Sequence, residues 1–448
     1  MSTFCVSSRA SRLLVWVPST ACRTFSTSSR VGKEHYKLVV LGGGSGGAAT
    51  GNKFGGFLGK QHVALIDPRD HHFYQPGFTL VGGGIKKYEW TNKPMEKVIK
   101  NCTRIKDRVM EFRPQQNEIV TAGGKQIQYD YLVVAVGLQQ RYDLIKGLPE
   151  ALQHDPQVCT NYHHEYVKKT FPAIQNTKNG TALFTFPDAP INCSGAPQKI
   201  CYLADHYFRK QGIRDQINMV YATALPAIYQ VKWYAGPLAK AAENRGITVK
   251  TKTVLSEVDH EKRQAVLDVK DQPGGKVLDR ITLNYSLLHV GPPCSATEVM
   301  RQAPKDLVDA AGWLTISRDT LQHDKYPNVF GVGDCTNLPT AKTAAALASQ
   351  FGILQRNLKD VMSGKKPTKT YNGYTSCPLI TGYNSLILAE FDYDHNRMET
   401  FPVDQRKERR TMLHLKRDLM PIMYWSLFTS GHWYGPALLR KLMHLGLV

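Results

Sequence analysis

Apolar residues in this chain come in short unbroken runs bounded by turn-forming residues. "KLVVL" (37–41) runs into glycines and small residues, and "HVALID" (62–67) follows. "YDYLVVAVG" (129–137), "NGTALFTFPD" (179–188) and "INMVYAT" (217–223) repeat the form, rich in β-branched and aromatic side chains. Such runs read as buried strands, and the longer mixed stretches between them as helices, which predicts an α/β fold. The far end differs. "LMPIMYWSLFTSGHWYGPALLRKLMHLGLV" (419–448) concentrates Met, Leu, Trp and Tyr, with Lys416, Arg417, Arg440 and Lys441 flanking or interrupting it. No run of about 18 uncharged apolar residues occurs, so a spanning helix is excluded on length. Two short amphipathic pieces broken at Gly431 to Pro436 are expected to lie in a membrane interface, as a monotopic anchor.

Composition narrows the class. The chain has 448 residues, 42% of them hydrophobic, and 36 glycines, enough for two or three globular domains. A formal charge of +20 favours an anionic partner, yet no basic run is interleaved with stacking aromatics, so nucleic acid is not the expected partner. Residues 1–30 carry Arg9, Arg12, Arg23 and Arg30, many Ser and Thr, and no acid, the composition of a mitochondrial transit peptide. Nine cysteines at irregular spacing form no disulfide framework, and a reducing matrix would keep ordinary thiols free.

Chemistry becomes legible at "HYKLVVLGGGSGGAATGNKFGG" (35–56). A strand enters Gly42-x-Gly44-x-x-Gly47, helix-compatible residues follow, and the next strand ends in Asp67. Glycines allow the backbone close to a pyrophosphate at a helix N-terminus, and the acid can bind ribose hydroxyls. FAD and NAD share this fingerprint. "YPNVFGVGDCTNLPT" (326–340) closes on Gly333-Asp334 and resembles the flavin-binding motif of two-dinucleotide-binding-domain disulfide reductases, which places Asp334 on the ribityl chain. The stretch ending at Gly137 is similar to that superfamily's return to its second domain. The resemblance implies a discontinuous FAD-binding domain (34–150 and 300–370), a second Rossmann-like domain (151–299) and a C-terminal region (371–448).

In the second domain, Pro187, Pro190 and Pro197 fix φ and remove donors where a glycine turn would meet pyrophosphate. The scaffold is expected to remain while nicotinamide binding is lost. Cys193 falls just beyond the end of its strand, where open α/β sheets place ligands. Cys377, in "YTSCPLITGYN" (374–384), is a second candidate. Together two thiols near a flavin form a dithiol/disulfide couple; each alone reads more readily as a small buried hydrophobe.

"LVVLGGGSGG", "HHFYQP", "CSGAPQKI", "YPNVFGVGDCTNLPT", "AKTAAALA", "GYTSCPL" and "LAEFDY" together resemble the eukaryotic-type mitochondrial sulfide:quinone oxidoreductase family over nearly the whole mature chain. The resemblance implies Cys193 and Cys377 as the redox pair, with Ser45, Gly46, Asp67, Gln75, Val109, Asp334, Lys342, Thr343, Ala344 and Ala345 lining FAD. It implies that hydrosulfide attacks the oxidised pair, leaving a persulfide, placed on Cys377, and a Cys193 thiolate that reduces the flavin. Electrons would go to ubiquinone and the sulfane sulfur to glutathione, sulfite or cyanide. The implied location is the mitochondrial inner membrane surface, on the matrix side, and a homodimer stays open. Asp67 stands where relatives often have glutamate, and Cys201 has no counterpart in the pattern and reads as structural. Lys342 is expected near the reduced flavin's pyrimidine end. His71, His72, His206 and His289 show no metal-ligand spacing, and no metal is expected. Two alternatives remain: a type II NADH:quinone oxidoreductase, and a basic FAD-stabilised binding protein resembling apoptosis-inducing factor.

Overall fold

A computed structural model describes residues 34–447; the expected transit peptide, residues 1–30, lies outside the described residues. The first sheet has seven strands. Thr103–Ile105, Val63–Ile66, Glu34–Leu41 and Gln126–Val134 lie side by side and parallel, with Val329–Gly331 parallel to Gln126–Val134 from 195 residues further along. Glu118–Thr121 and Val109–Arg113 extend it antiparallel. Leu38 to Leu41 are wholly buried, as expected for a parallel strand covered on both faces. Leu41 sits in register with Ile66 and with Val134, so the three chains end level and open onto one crevice.

The second sheet is parallel throughout, ordered Val158–Cys159, Leu287–Val290, Gly180–Phe186, Ile217–Thr223 and Thr248–Lys250. The runs at 179–188 and 217–223 are thus neighbouring strands. A hairpin, Thr375–Gly382 with Ser385–Phe391, pairs Cys377 with Ala389 and packs on the helix Ala196–Lys210. Its Cys377, Leu379 and Leu388 share an apolar cluster with Ile200, Leu203 and Phe184.

The C-terminal segment runs helically from Arg410 through two π-type turns, Leu415–Leu419 and Tyr424–Phe428. Gly431, at φ +79°, ends it, and a short helix, Ala437–Met443, follows. The break falls where the sequence placed it. Met412 and Leu413 join the second core and Tyr424 and Phe428 the first, while Ile422, Leu438 and Leu442 are more than 60% exposed. Among the described residues no helix is long and apolar enough to cross a membrane.

Candidate active site

The nucleotide turn admits only glycine at two points. Gly42 has φ +93°, and a Cβ there would lie 2.5 Å from the Ala135 carbonyl oxygen; one on Gly47 would lie 1.6 Å from that of Gly42. The helix Ser45–Leu58 starts at Gly44 with no side-chain cap and no acid in its first turn, which leaves its amide end to an anion. Gly46 faces Val332 and Leu347, and Gly333, at φ +80°, also faces Leu347. Nucleotide turn, Gly333-Asp334 segment and the helix Ala344–Met362 therefore converge.

Asp67 is 3% exposed. Its carboxylate accepts from the Gly43 amide at 2.6 Å and from Arg69 Nη2 at 2.7 Å. Burial works to raise its pKa, but the Arg69 and Gly43 bonds offset that and hold it below the usual range. The Asp334 pKa is raised by burial, and no side-chain hydrogen bond to it is found among the described residues. Gly137, at φ +70°, faces open space. Lys342 Nζ donates to the carbonyls of Asp334 (2.8 Å) and Thr336 (3.1 Å) and lies 4.3 Å from the centre of the Trp313 ring. Thr343 caps the helix by accepting from the Ala346 amide and pairs with Thr375 Oγ1 at 2.8 Å. Ala344 and Ala345 form the first turn of that helix. Gln75 is exposed at the start of a short turn, and Val109 is buried at the antiparallel edge of the first sheet. The nucleotide turn, Asp67 and Asp334 make a cradle suited to a flavin dinucleotide: glycine-only approaches, uncapped amides, a buried acid at the end of the second strand, and a carboxylate beside Gly333 that no side chain hydrogen-bonds among the described residues.

The thiols meet at the seam between the two sheets. Cys193 adopts φ +54°, unusual for a residue with a Cβ. Its amide donates to the Lys342 carbonyl at 2.9 Å, and its own carbonyl accepts from Tyr162 Oη at 3.1 Å. A Cβ on Gly195 would lie 2.7 Å from Cys377 Sγ, so glycine at this helix N-cap lets the hairpin strand carrying Cys377 close on the turn after Cys193. Both cysteines are free thiols, in mutual hydrogen-bond contact. Lys199, 3% exposed and one turn into its helix, donates to Cys193 Sγ at 3.2 Å. The hydrogen bond from Cys377 and the Lys199 ammonium hold the Cys193 thiol well below the ordinary range, against burial. Cys377, 1% exposed, is pushed up by its hydrogen bond to Cys193 and by burial. The Tyr229 hydroxyl is buried beside it. A second ammonium approaches from the C-terminal helix. Lys416 Nζ donates to the Pro76 carbonyl at 3.0 Å, and burial together with Lys199 pushes its pKa down to about 7.

Where a nicotinamide site would carry its phosphate nest, Pro187, Pro190 and Ser194 line a cavity of about 500 Å³ together with Lys342, Thr375 and His395. Cys201 is 1% exposed with its pKa raised by burial, as a structural residue would be. Among the described residues no cluster of His, Cys, Asp and Glu could hold a metal ion.

The family model described as pyridine nucleotide-disulphide oxidoreductase matches residues 36–171. Mitochondrial sulfide:quinone oxidoreductase of Mus musculus is 48% identical over 416 residues, 93% of this chain and 91% of that one. The chain belongs to the sulfide:quinone oxidoreductase family. The Dictyostelium discoideum member of that family is 40% identical over 403 residues, covering 89% of this chain and 87% of its own. The crystal structure of the sulfide:quinone oxidoreductase of Aquifex aeolicus shares the fold, with a TM-score of 0.76 at 18% identity over 92% of this chain and 95% of that one. The two Rossmann-like sheets and the oxidoreductase class are thus those of the family.

Reading the sequence brought the glycines, Asp67, Gly333-Asp334 and Cys193 with Cys377 to one crevice. It passed over Lys199, although "CSGAPQKI" puts that residue one helical turn beyond the thiol. It also passed over Arg69, Tyr162, Tyr229 and Tyr424, and it read Lys416 as a base flanking the membrane-facing stretch, whereas that residue is 4% exposed and turned toward Lys199 and the thiols. Lys416 and Tyr424 carry no local signal, since both read as ordinary members of an amphipathic stretch.

Proposed function

We propose that this chain oxidises hydrogen sulfide and passes two electrons through FAD to ubiquinone. The observation that supports this most is the Cys193–Cys377 pair, held beneath Lys199 and bonded through the Cys193 amide to the flavin-side residue Lys342. Hydrosulfide attacks Cys377 Sγ of the oxidised pair. The S–S bond breaks, a persulfide forms on Cys377, and Cys193 leaves as a thiolate whose charge the Lys199 ammonium carries. Bound in the cradle of Gly42, Gly44, Gly47, Asp67 and Asp334, FAD would supply reversible two-electron acceptance. A small nucleophile, glutathione, sulfite or cyanide, removes the outer sulfur through the cavity beside Ser194. With a thiol as acceptor, one hydrogen sulfide, one thiol and one quinone become one persulfide and one quinol, in atom and electron balance.

Prolines 187 and 190 disfavour a nicotinamide donor, so the type II NADH:quinone oxidoreductase alternative loses its reductant. The exposed Ile422, Leu438 and Leu442 would rest on the mitochondrial inner membrane from the matrix side, where a lipid-dissolved quinone is available. The test is anaerobic absorbance of the purified protein mixed separately with sulfide and with NADH, for wild type, Cys193→Ser and Cys377→Ser. Sulfide should bleach the flavin of wild type alone. Bleaching by NADH in all three would overturn the reading.

A further inference from the structure

The C-terminal helix reaches directly into the nucleotide turn. Tyr424 is 6% exposed, and its hydroxyl lies 2.6 Å from Ser45 Oγ and 2.6 Å from His72 Nε2. His72 Nδ1 lies 2.9 Å from the Gly43 carbonyl oxygen. A carbonyl only accepts, so Nδ1 carries a proton. His72 is 1% exposed and neutral, because burial, helped by Arg69 and Lys93, pushes its pKa down to about 4 against the Gly43 carbonyl and Asp67. Nε2 must then accept. The directions follow in sequence: Tyr424 donates to His72, and Ser45 donates to Tyr424. Both ends of this chain, Gly43 and Ser45, belong to the turn that would cradle a diphosphate. Aromatic neighbours hold the ring in place, Tyr74 tilted at 45° with its centroid at 4.5 Å and Trp425 edge-on with its centroid at 5.1 Å. Eight residues earlier on the same helix, about 12 Å along its axis, Lys416 approaches the thiol pair. The helix thus runs beside the cofactor cradle from its thiol end to its phosphate end.

We propose that Tyr424 is a positioning residue for the cofactor, a clasp through which the C-terminal helix holds the nucleotide turn closed on the dinucleotide. This rests on the FAD reading given above. Nothing else in the turn ties it to a distant part of the chain through a side-chain hydroxyl among the described residues. Loss of the clasp leaves the glycine path intact and lets the turn breathe, so the cofactor escapes faster while its chemistry is unchanged.

The experiment follows FAD release by the rise of free-flavin fluorescence on dilution of the holoprotein, for wild type, Tyr424→Phe, Ser45→Ala and the double variant. Melting of each protein is compared with and without added FAD. Tyr424→Phe, which removes the bonds to both His72 and Ser45, should release FAD about tenfold faster, and the double variant should release it no faster than Tyr424→Phe, because Ser45 reaches the helix through the Tyr424 hydroxyl. The melting gain on adding FAD should shrink in Tyr424→Phe. An unchanged release rate, additive single effects, or an intact gain with equal loss of melting in apo and holo forms would overturn the clasp. A wild-type protein that binds no FAD would overturn the flavin reading as well.

Discussion

The thiol pair is asymmetric because its surroundings are. Lys199 acts on both sulfurs and donates to Cys193 at 3.2 Å, and Cys193 also gains the hydrogen bond from Cys377, so the thiolate is favoured on the sulfur whose own amide bonds the Lys342 carbonyl. Replacing Lys199 by Met keeps the packing and removes the charge. The pH midpoint for alkylation of Cys193 by iodoacetamide in the reduced protein should then rise by about one pH unit or more. His72 makes a second residue-scale prediction. Its pKa falls from 6.5 to about 4 on folding, so the unfolded chain binds more protons between those values. The stability it contributes is complete above pH 6.5 and is lost as pH falls toward 4, by an amount on the order of 3 kcal/mol. Denaturant midpoints across that window should drop more steeply for wild type than for His72→Gln. At this scale the cysteines were legible and their partners were not. Cysteine is scarce and its neighbours, prolines and glycine, mark a special turn; a lysine one turn up a helix looks like any other until the fold points it inward.

The elements that build the site do so through glycine and a cap. In the helix Ser45–Leu58, Gly47 has no room for a methyl group, whereas an added Cβ on exposed Gly56 meets nothing within 4 Å. Gly47→Ala should yield a protein purified without flavin, as read by the ratio of visible to ultraviolet absorbance. Gly56→Ala should bind flavin normally and gain about 0.5–1 kcal/mol in denaturant unfolding, from helix propensity and a less flexible unfolded chain. The strands at 37–41, 180–186 and 217–223 were readable because buried parallel strands are continuously apolar. The small antiparallel sheet of Thr253–Asp259, Gln264–Lys270 and Val277–Asn284 was not: its strands are mixed in polarity, and the last is largely exposed, so no apolar run announces it.

Across the C-terminal region of the described residues, the helical run from Arg410 to Phe428 joins both cores on its inner side, and the short helix Ala437–Met443 beyond Gly431 turns apolar residues outward. Leu438→Glu with Leu442→Glu should abolish sedimentation with anionic liposomes and leave sulfide bleaching of the flavin intact, since both leucines are exposed and remote from the thiols in the chain. Retained sedimentation would place the lipid contact elsewhere. The order of motifs gave the large-scale arrangement, because a nucleotide turn and a Gly-Asp segment about 290 residues apart must share one crevice to share one ligand. The docking of residues 410–430 onto that crevice followed from no motif, only from side chains of ordinary type meeting a surface shaped by distant sequence. The proline-lined mouth at 187–190 has a metabolic consequence. Under the proposed function, a flavin that no dinucleotide reduces would keep its electron balance insulated from the NADH supply, and its redox state would track the sulfur donor and the quinone pool. Such a protein would go on clearing sulfide whether the surrounding compartment is rich or poor in reduced nicotinamide, and would stall when quinol accumulates or the sulfur acceptor runs out.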